Sequence, residues 1–336
     1  MAESLETDLK HPEKPPTARP SFWSQPSARA SGSGRVLAVV NPSAGELVAS
    51  ESFDVPLLKP LQAQLSSYGV KLEQLVLKPQ GFGPALRARL GDDLLAIYVF
   101  GGDGTVLAVV EALGEDRVPI AILPQGTMNW MARDLGIPAE SEQAMRVLLD
   151  PEVRLIDLGQ VNGHPFLCAC MLGIAALLAR YRERDRHRSR WWRWPVLFFA
   201  ALRLWGRYPY LRMTLVGDGE RQRLRSRTLV VVNNRLERAL RRLPFRDRLD
   251  GGVLELYAMR RASVQRLRAL LGRLMAGSWG MDDVLLTQTS AAVRIEVAGL
   301  NHLPVLVDGE IRRLQTPLSF SLQPRTLPML VPREDS

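Results

Sequence analysis

Three apolar segments in the first half of this chain each run into a short loop of small residues. The most constraining is Leu94-Leu95-Ala96-Ile97-Tyr98-Val99-Phe100, followed by Gly101-Gly102-Asp103-Gly104-Thr105 and then Val106-Leu107-Ala108-Val109-Val110-Glu111-Ala112-Leu113. A continuous apolar run bounded by glycines reads as a buried strand, and the segment after it reads as a helix. Three glycines at a strand-to-helix junction let a ligand approach the backbone. The helix start adds free N–H groups and a partial positive charge. A junction of this kind suits phosphate.

The other two loops repeat the arrangement. Val36-Leu37-Ala38-Val39-Val40 runs into Asn41-Pro42-Ser43-Ala44-Gly45. Ile120-Ala121-Ile122-Leu123 runs into Pro124-Gln125-Gly126-Thr127-Met128-Asn129. In open α/β sheets ligands bind beyond the carboxyl ends of the strands, where all three loops would lie. The first loop lacks the Lys-Ser/Thr ending of a P-loop, and no Gly-x-Gly-x-x-Gly follows the first strand. The backbone N–H groups at 101–104 are candidates to cradle phosphates, with the Thr105 and Thr127 hydroxyls as added donors.

Residues 35–150 alternate strand and helix, which predicts an α/β domain with a parallel sheet. Leu58, Leu61, Leu65 and Tyr68 recur at helical spacing. Beyond residue 150 the pattern shifts toward strands, at Thr228–Asn233, 252–259, Ala292–Val297, 303–307 and 318–322. The expected second unit is a mainly antiparallel β domain over 151–327, whose last strand can pack back on the first domain. A chain of 336 residues accommodates two such units.

Taken together, Asn41-Pro-x-Ala-Gly, the Gly-Gly-Asp-Gly-Thr of 101–105 and Pro-x-Gly-Thr-x-Asn at 124–129 resemble the diacylglycerol kinase catalytic family. That group of lipid kinases also includes sphingosine and ceramide kinases. The resemblance covers about residues 36–325. Arg154-Leu155-Ile156-Asp157-Leu158-Gly159 resembles the family's Asp-x-Gly strand, and Val307-Asp308-Gly309-Glu310 its Asp-Gly-Glu. It implies a nucleotide, ATP, held by Asn41, Gly101, Gly102, Asp103, Gly104, Thr105, Gly126 and Thr127. It implies Mg²⁺ at Asp103, a catalytic aspartate at Asp157 and a general base at Glu310. A second, structural metal would use Asp250. The residues suit such roles: a hydroxyl attacking a γ-phosphate must lose its proton to a nearby carboxylate, and phosphoryl transfer otherwise needs positioning and charge neutralisation.

Three departures stand out. Many relatives have Asn-Asp where this chain has Asn129-Trp130. Many bacterial members carry Asp-Asp-Gly at the structural metal, where this chain has Asp250-Gly251-Gly252. The family's usual Asn near the start of the second domain is Cys168 here.

The net charge of +9 is concentrated in one stretch. Residues 181–213 join Arg182, Arg184, Arg186, Arg188 and Arg190 to a Trp-, Phe- and Leu-rich run. That run is shorter than the ~20 apolar residues a bilayer span needs. Aromatic and basic residues together suit an interface with anionic lipid. The helix expected at 262–276 carries a leucine stripe that fits a core face. Residues 1–34, rich in Pro, Ser and charge, are expected to be a disordered tail with neither signal peptide nor anchor. Two cysteines one residue apart suit neither a disulfide nor a zinc site and point to a reducing compartment.

These features predict an ATP-dependent kinase for a diacylglycerol-like lipid hydroxyl, cytoplasmic and peripheral on the inner membrane face. No nucleic-acid partner is expected, and a homodimer is left open. A soluble NAD kinase-like enzyme, which would share Gly-Gly-Asp-Gly, and a non-catalytic nucleotide-regulated lipid-binding protein are the alternatives.

Overall fold

The computed structural model describes residues 21–24, 34–42, 57–78, 80–126, 128–174, 176–177, 208–217, 219–237, 246, 248–259 and 285–333. The first part is built on parallel strands β1 (Arg35–Val40), β2 (Lys71–Val76), β3 (Leu94–Gly101) and β4 (Ile120–Pro124). β1, β3 and β4 are apolar along almost their whole length and buried on both faces, as inner parallel strands must be. β2 lies at the edge and buries little beyond Leu75. Helix α1 (Leu58–Ser67) turns Leu58, Leu61 and Leu65 inward, the face that the spacing predicted. Helix α2 (Phe82–Arg87) follows β2. α3 (Asp103–Leu113) leaves β3, and α4 (Trp130–Asp134) and α5 (Ser141–Val147) follow β4.

The remaining strands are antiparallel. They are β5 (Glu152–Val161), β6 (His164–Phe166), β7 (Ala169–Gly173), β8 (Leu211–Gly217), β9 (Glu220–Ser226), β10 (Thr228–Asn233), β11 (Leu254–Met259), β12 (Leu285–Ser290), β13 (Ala292–Val297), β14 (His302–Val307), β15 (Glu310–Gln315) and β16 (Leu318–Val331). One sheet runs β12-β11-β10-β7-β14-β15. The other runs β2-β1-β3-β4-β16-β13-β8-β9, with β5 alongside β16. The protein is therefore an α/β unit with a parallel sheet joined to a mainly antiparallel β unit.

β16 is the seam between them. Its start pairs with β13 through Leu318 and Phe320, and its end runs parallel to β4 at Met329–Ile120. β5 accompanies it along most of its length. Leu327, Met329, Leu330 and Val331 sit in the apolar core of the first unit, and Leu318 and Phe320 in that of the second. Leu107 of α3 reaches across into the second core.

Two sequence expectations change. The segment 1–34 is not wholly a tail: Phe22–Ser24 forms a 3-10 turn whose Trp23 is buried against Tyr98, with its indole N–H donating to Leu149 O at 2.8 Å. One large aromatic is enough to anchor a polar segment. Strands β2, β6, β7, β8, β9 and β12 were not anticipated. β9, Glu-Arg-Gln-Arg-Leu-Arg-Ser, is an edge strand paired only with β8, so its charged side chains stay in solvent. The helix expected at 262–276 and the basic aromatic stretch lie outside the described residues, except that the stretch's last residues enter β8.

Candidate active site

The three loops predicted from sequence meet at the carboxyl ends of β1, β3 and β4 and lock one another in place. Asn41, just past β1, donates its side-chain amide to Thr105 Oγ1 at 2.8 Å. Gln125 N–H donates to Gly101 O at 3.0 Å. The Asp103 carboxylate accepts the N–H groups of Trp130 and Met131, each at 3.0 Å, and so caps α4 from the neighbouring loop. Asn129, in the left-handed region at φ 44°, closes its own loop through two bonds to Gly126, each at 2.8 Å.

The glycines divide by role. A Cβ on Gly126 would stand 2.7 Å from Gly102 Cα, and one on Gly101 would stand 2.5 Å from Thr105 Oγ1. Those glycines are required by loop-to-loop packing. The sequence expectation, that all of them clear space for a ligand, holds geometrically for Gly104 alone of the first loop. A Cβ there would meet only Glu310 Oε1, at 3.6 Å.

That contact joins the two units. The β14–β15 hairpin carries Glu310 over the first turn of α3, with its side chain 54% exposed. Asp308, at φ 44°, points the other way. It is half-buried and accepts the N–H groups of Leu167, Cys168 and Ala169. Burial pushes its carboxyl up to about 6, against those bonds and nearby Arg246, which pull it down.

Arg312 lies on the same strand as Glu310, two residues on. It donates to Glu310 at 3.4 Å and to Glu111 on α3 at 2.6 Å, with His164 Nδ1 3.1 Å away. It thus ties the hairpin to the helix beneath it. The period of two along a strand was a signal that could have identified it. Arg246 carried no such signal. It is almost fully buried beneath the hairpin, donating to Asp134 at 2.7 Å and to the carbonyls of Leu167 and Asn233 at 2.6 and 3.0 Å. Burial raises the Asp134 carboxyl even so. Cys168, which stands where relatives have Asn, places its sulfur 3.5 Å from that guanidinium, and burial pushes its thiol well above the ordinary range.

Asp157 is 1% exposed, and its two carboxylate oxygens accept the N–H groups of Gly252 at 2.7 Å and Arg325 at 2.8 Å. Asn233 of β10 donates its side-chain amide to the Asp157 carbonyl at 2.9 Å, so the residue fastens β5, β10, β16 and the 249–252 turn together. Asp250 does not fit a metal ligand: its carboxylate faces Arg248 at 3.3 Å and Arg325 at 3.0 Å. Burial raises its carboxyl slightly, and the two guanidiniums outweigh that and leave it below the usual range. Among the described residues no three His, Cys, Asp or Glu side chains converge as a metal cage. Thr127 lies outside the described residues.

Residues 35–161 match the family described as "Diacylglycerol kinase catalytic domain", and residues 169–331 match "YegS C-terminal NAD kinase beta sandwich-like domain". The "Probable lipid kinase YegS-like" of Pseudomonas aeruginosa is 30% identical over 247 residues, covering 69% of this chain and 75% of that protein. This chain belongs to the diacylglycerol kinase catalytic-domain family. It is a lipid kinase, a phosphotransferase. The "Diacylglycerol kinase" of Mycobacterium tuberculosis is 27% identical over 306 residues, covering 89% of this kinase and 96% of that protein. The crystal structure of a diacylglycerol kinase from Bacillus anthracis str. Sterne shares the fold, with a TM-score of 0.64 at 21% identity over 90% of this kinase and 97% of that chain. Among the described residues no helix of the kinase is long and apolar enough to cross a membrane.

Proposed function

We propose that this lipid kinase transfers the γ-phosphoryl group of ATP to the hydroxyl of a diacylglycerol-like lipid at a membrane surface, with Glu310 as the base. One observation carries this reading. The Glu310 carboxylate stands over the open face of Gly104 at the start of α3, within 3.6 Å of where a side chain on that glycine would begin. An exposed carboxylate from one unit thus meets a phosphate-suited helix terminus from the other. The nearby aspartates, Asp103 and Asp308, are bonded to backbone N–H groups.

The roles follow from that placement. The loop at 101–105 and the helix start attract the nucleotide's phosphates, with Asn41 fixing the Thr105 hydroxyl. Gly126 lies in the neighbouring loop, packed against Gly102. Glu310 accepts the proton from the lipid hydroxyl as that oxygen attacks the γ-phosphorus. The bond to the β-phosphate oxygen breaks, leaving ADP and a phosphorylated lipid. Arg312 holds Glu310 toward α3. Asp103 is the residue suited to Mg²⁺. A carboxylate has about four acceptor positions, two of them used here, and Mg²⁺ takes most of its ligands from phosphates and water. When bound, Mg²⁺ supplies charge neutralisation on the phosphates. The membrane reading rests on the basic and aromatic composition of 181–213, whose Arg and Trp residues suit an anionic lipid surface at the cytoplasmic face.

The test is purified kinase with labelled ATP, Mg²⁺ and mixed vesicles containing diacylglycerol and anionic phospholipid. A labelled lipid product that vanishes in Glu310→Gln, while nucleotide binding persists, is the expected result. Full turnover in Glu310→Gln would overturn the assignment of the base, and transfer to lipids other than diacylglycerol would redefine the acceptor.

A further inference from the structure

The Asp250 region lacks what a structural metal needs and contains its own cations. Three backbone segments meet there: β5 at Asp157, the turn at 248–252 before β11, and the irregularity in β16 between Gln323 and Leu327. Arg325 sits in that irregularity at φ 49°. Its N–H donates inward to Asp157 Oδ1 at 2.8 Å, and its guanidinium donates outward to Asp250 Oδ2 at 3.0 Å. Arg248 donates to the other Asp250 oxygen at 3.3 Å. The second Asp157 oxygen accepts Gly252 N–H at 2.7 Å, and Asp157 N–H donates to Leu249 O at 2.8 Å.

Among the described residues Asp157 and Asp250 contribute two negative charges here, and Arg248 and Arg325 two positive ones. A divalent cation added to this set would face two guanidiniums, with Asp250 already paired. Gly251 occupies the position at which bacterial relatives place a second carboxylate. A Cβ there would stand 2.8 Å from Asn234 Oδ1, so the space that carboxylate would enter is taken by an amide oxygen. Among the described residues that oxygen has no hydrogen-bond partner, but a neutral amide brings a divalent ion no negative charge where a carboxylate would bring one.

We infer that in this kinase the structural metal has been replaced by a built-in cationic clasp, with Arg325 bridging Asp157 and Asp250 and no divalent ion required to join the three segments. The inference stands apart from the acceptor and base proposed above, since it concerns the frame of the second unit. The two halves of the clasp differ in strength. The Arg–Asp250 pairs are half-exposed and screened, whereas Asp157 is buried and its bonds are to backbone.

The test is thermal unfolding of the full chain without nucleotide, after dialysis against EDTA or with added Mg²⁺ or Ca²⁺, together with elemental analysis of the EDTA-free protein. Expected are midpoints agreeing within about 1 °C, a span smaller than a ligand-linked shift at saturating metal would give, and no stoichiometric divalent ion. An EDTA-induced fall of several degrees reversed by Mg²⁺ or Ca²⁺ would overturn the inference without touching the catalytic assignment. Arg325→Gly, which suits the positive φ and removes the guanidinium, should lower the midpoint by the same small amount in EDTA and in Mg²⁺. Restoration of that variant to the wild-type midpoint by Mg²⁺ would also count against the clasp.

Discussion

Two Asp-Gly dipeptides face each other across the site, Asp103-Gly104 at the start of α3 and Asp308-Gly309 at the tip of the β14–β15 hairpin, and they are used alike. In each the aspartate fastens backbone: Asp103 caps α4, and Asp308 gathers three N–H groups of the β6–β7 connection. In each the neighbour faces the cleft, Gly104 on one side and Glu310 on the other. They differ in how much backbone each one holds. Both are partly exposed, but Asp103 accepts two N–H groups and has acceptor positions to spare, whereas Asp308 accepts three and its carboxyl is pushed up to about 6 by desolvation. The prominent acid of a motif can thus be its scaffold, with the chemistry one or two residues away.

Substitutions should separate scaffold from chemistry. The largest effect belongs to Glu310→Gln, which keeps the shape and removes the base. Turnover should fall by about 10²–10⁴-fold while the unfolding midpoint stays at the wild-type value. A midpoint drop would move Glu310 to the scaffold side. Asp308→Ala should do the reverse, leaving three buried N–H groups unpaired at ~1–3 kcal/mol for such a group. Denaturant titration should therefore show a loss of about 3 kcal/mol or more. Asp103→Ala should cost less, about 1 kcal/mol for one lost cap.

Asp308 also predicts a pH dependence. Its folded-state carboxyl lies at about 6, above the ordinary 3.8, so the folded protein holds this proton more tightly. The stabilisation from protonation is fully present below the unfolded value and is lost as pH rises through 6. Between pH 4 and 6 wild-type stability should fall relative to Asp308→Asn by about 2–3 kcal/mol, at 1.36 kcal/mol per unit. Parallel pH profiles for the two proteins would mean that Asp308 does not titrate in this range.

The finest comparison is between two glycines. Gly126→Ala drives a methyl into Gly102 Cα and should cost ~1–3 kcal/mol. Gly104→Ala meets only ordinary contact and should cost less than about 0.5 kcal/mol. It should instead raise KM for the nucleotide, because its methyl stands on the face offered to phosphate. Equal stability losses in the two variants would erase the distinction.

Much of the frame could be read from the chain. Thr228–Asn233 and Ala292–Val297 are strands at the expected bounds, since an apolar run or a strict alternation leaves little choice. The three loops also meet as the strand ends implied. β9 was hidden because an edge strand does not need an apolar face, and Trp23 because one buried ring leaves no period. The setting of Asp157 was hidden because sequence records a carboxylate but not which N–H groups will fill it. Arg246 and Arg325 looked like two more surface cations in a basic chain. Only the crossing of distant segments makes one a buried hub and the other a bridge.

The seam strand has a consequence for biogenesis. β16 supplies Met329, Leu330 and Val331 to the core that β1, β3 and β4 began nearly 300 residues earlier. On the ribosome, the α/β unit therefore emerges first but is completed last. It waits with the flank of β4 uncovered until residues 318–331 leave the exit tunnel and slide in beside it. Contacts of such sequence separation form slowly, and an unpaired strand edge invites association during the wait. Chains stalled or clipped just short of this segment would be the natural clients of chaperones and proteases.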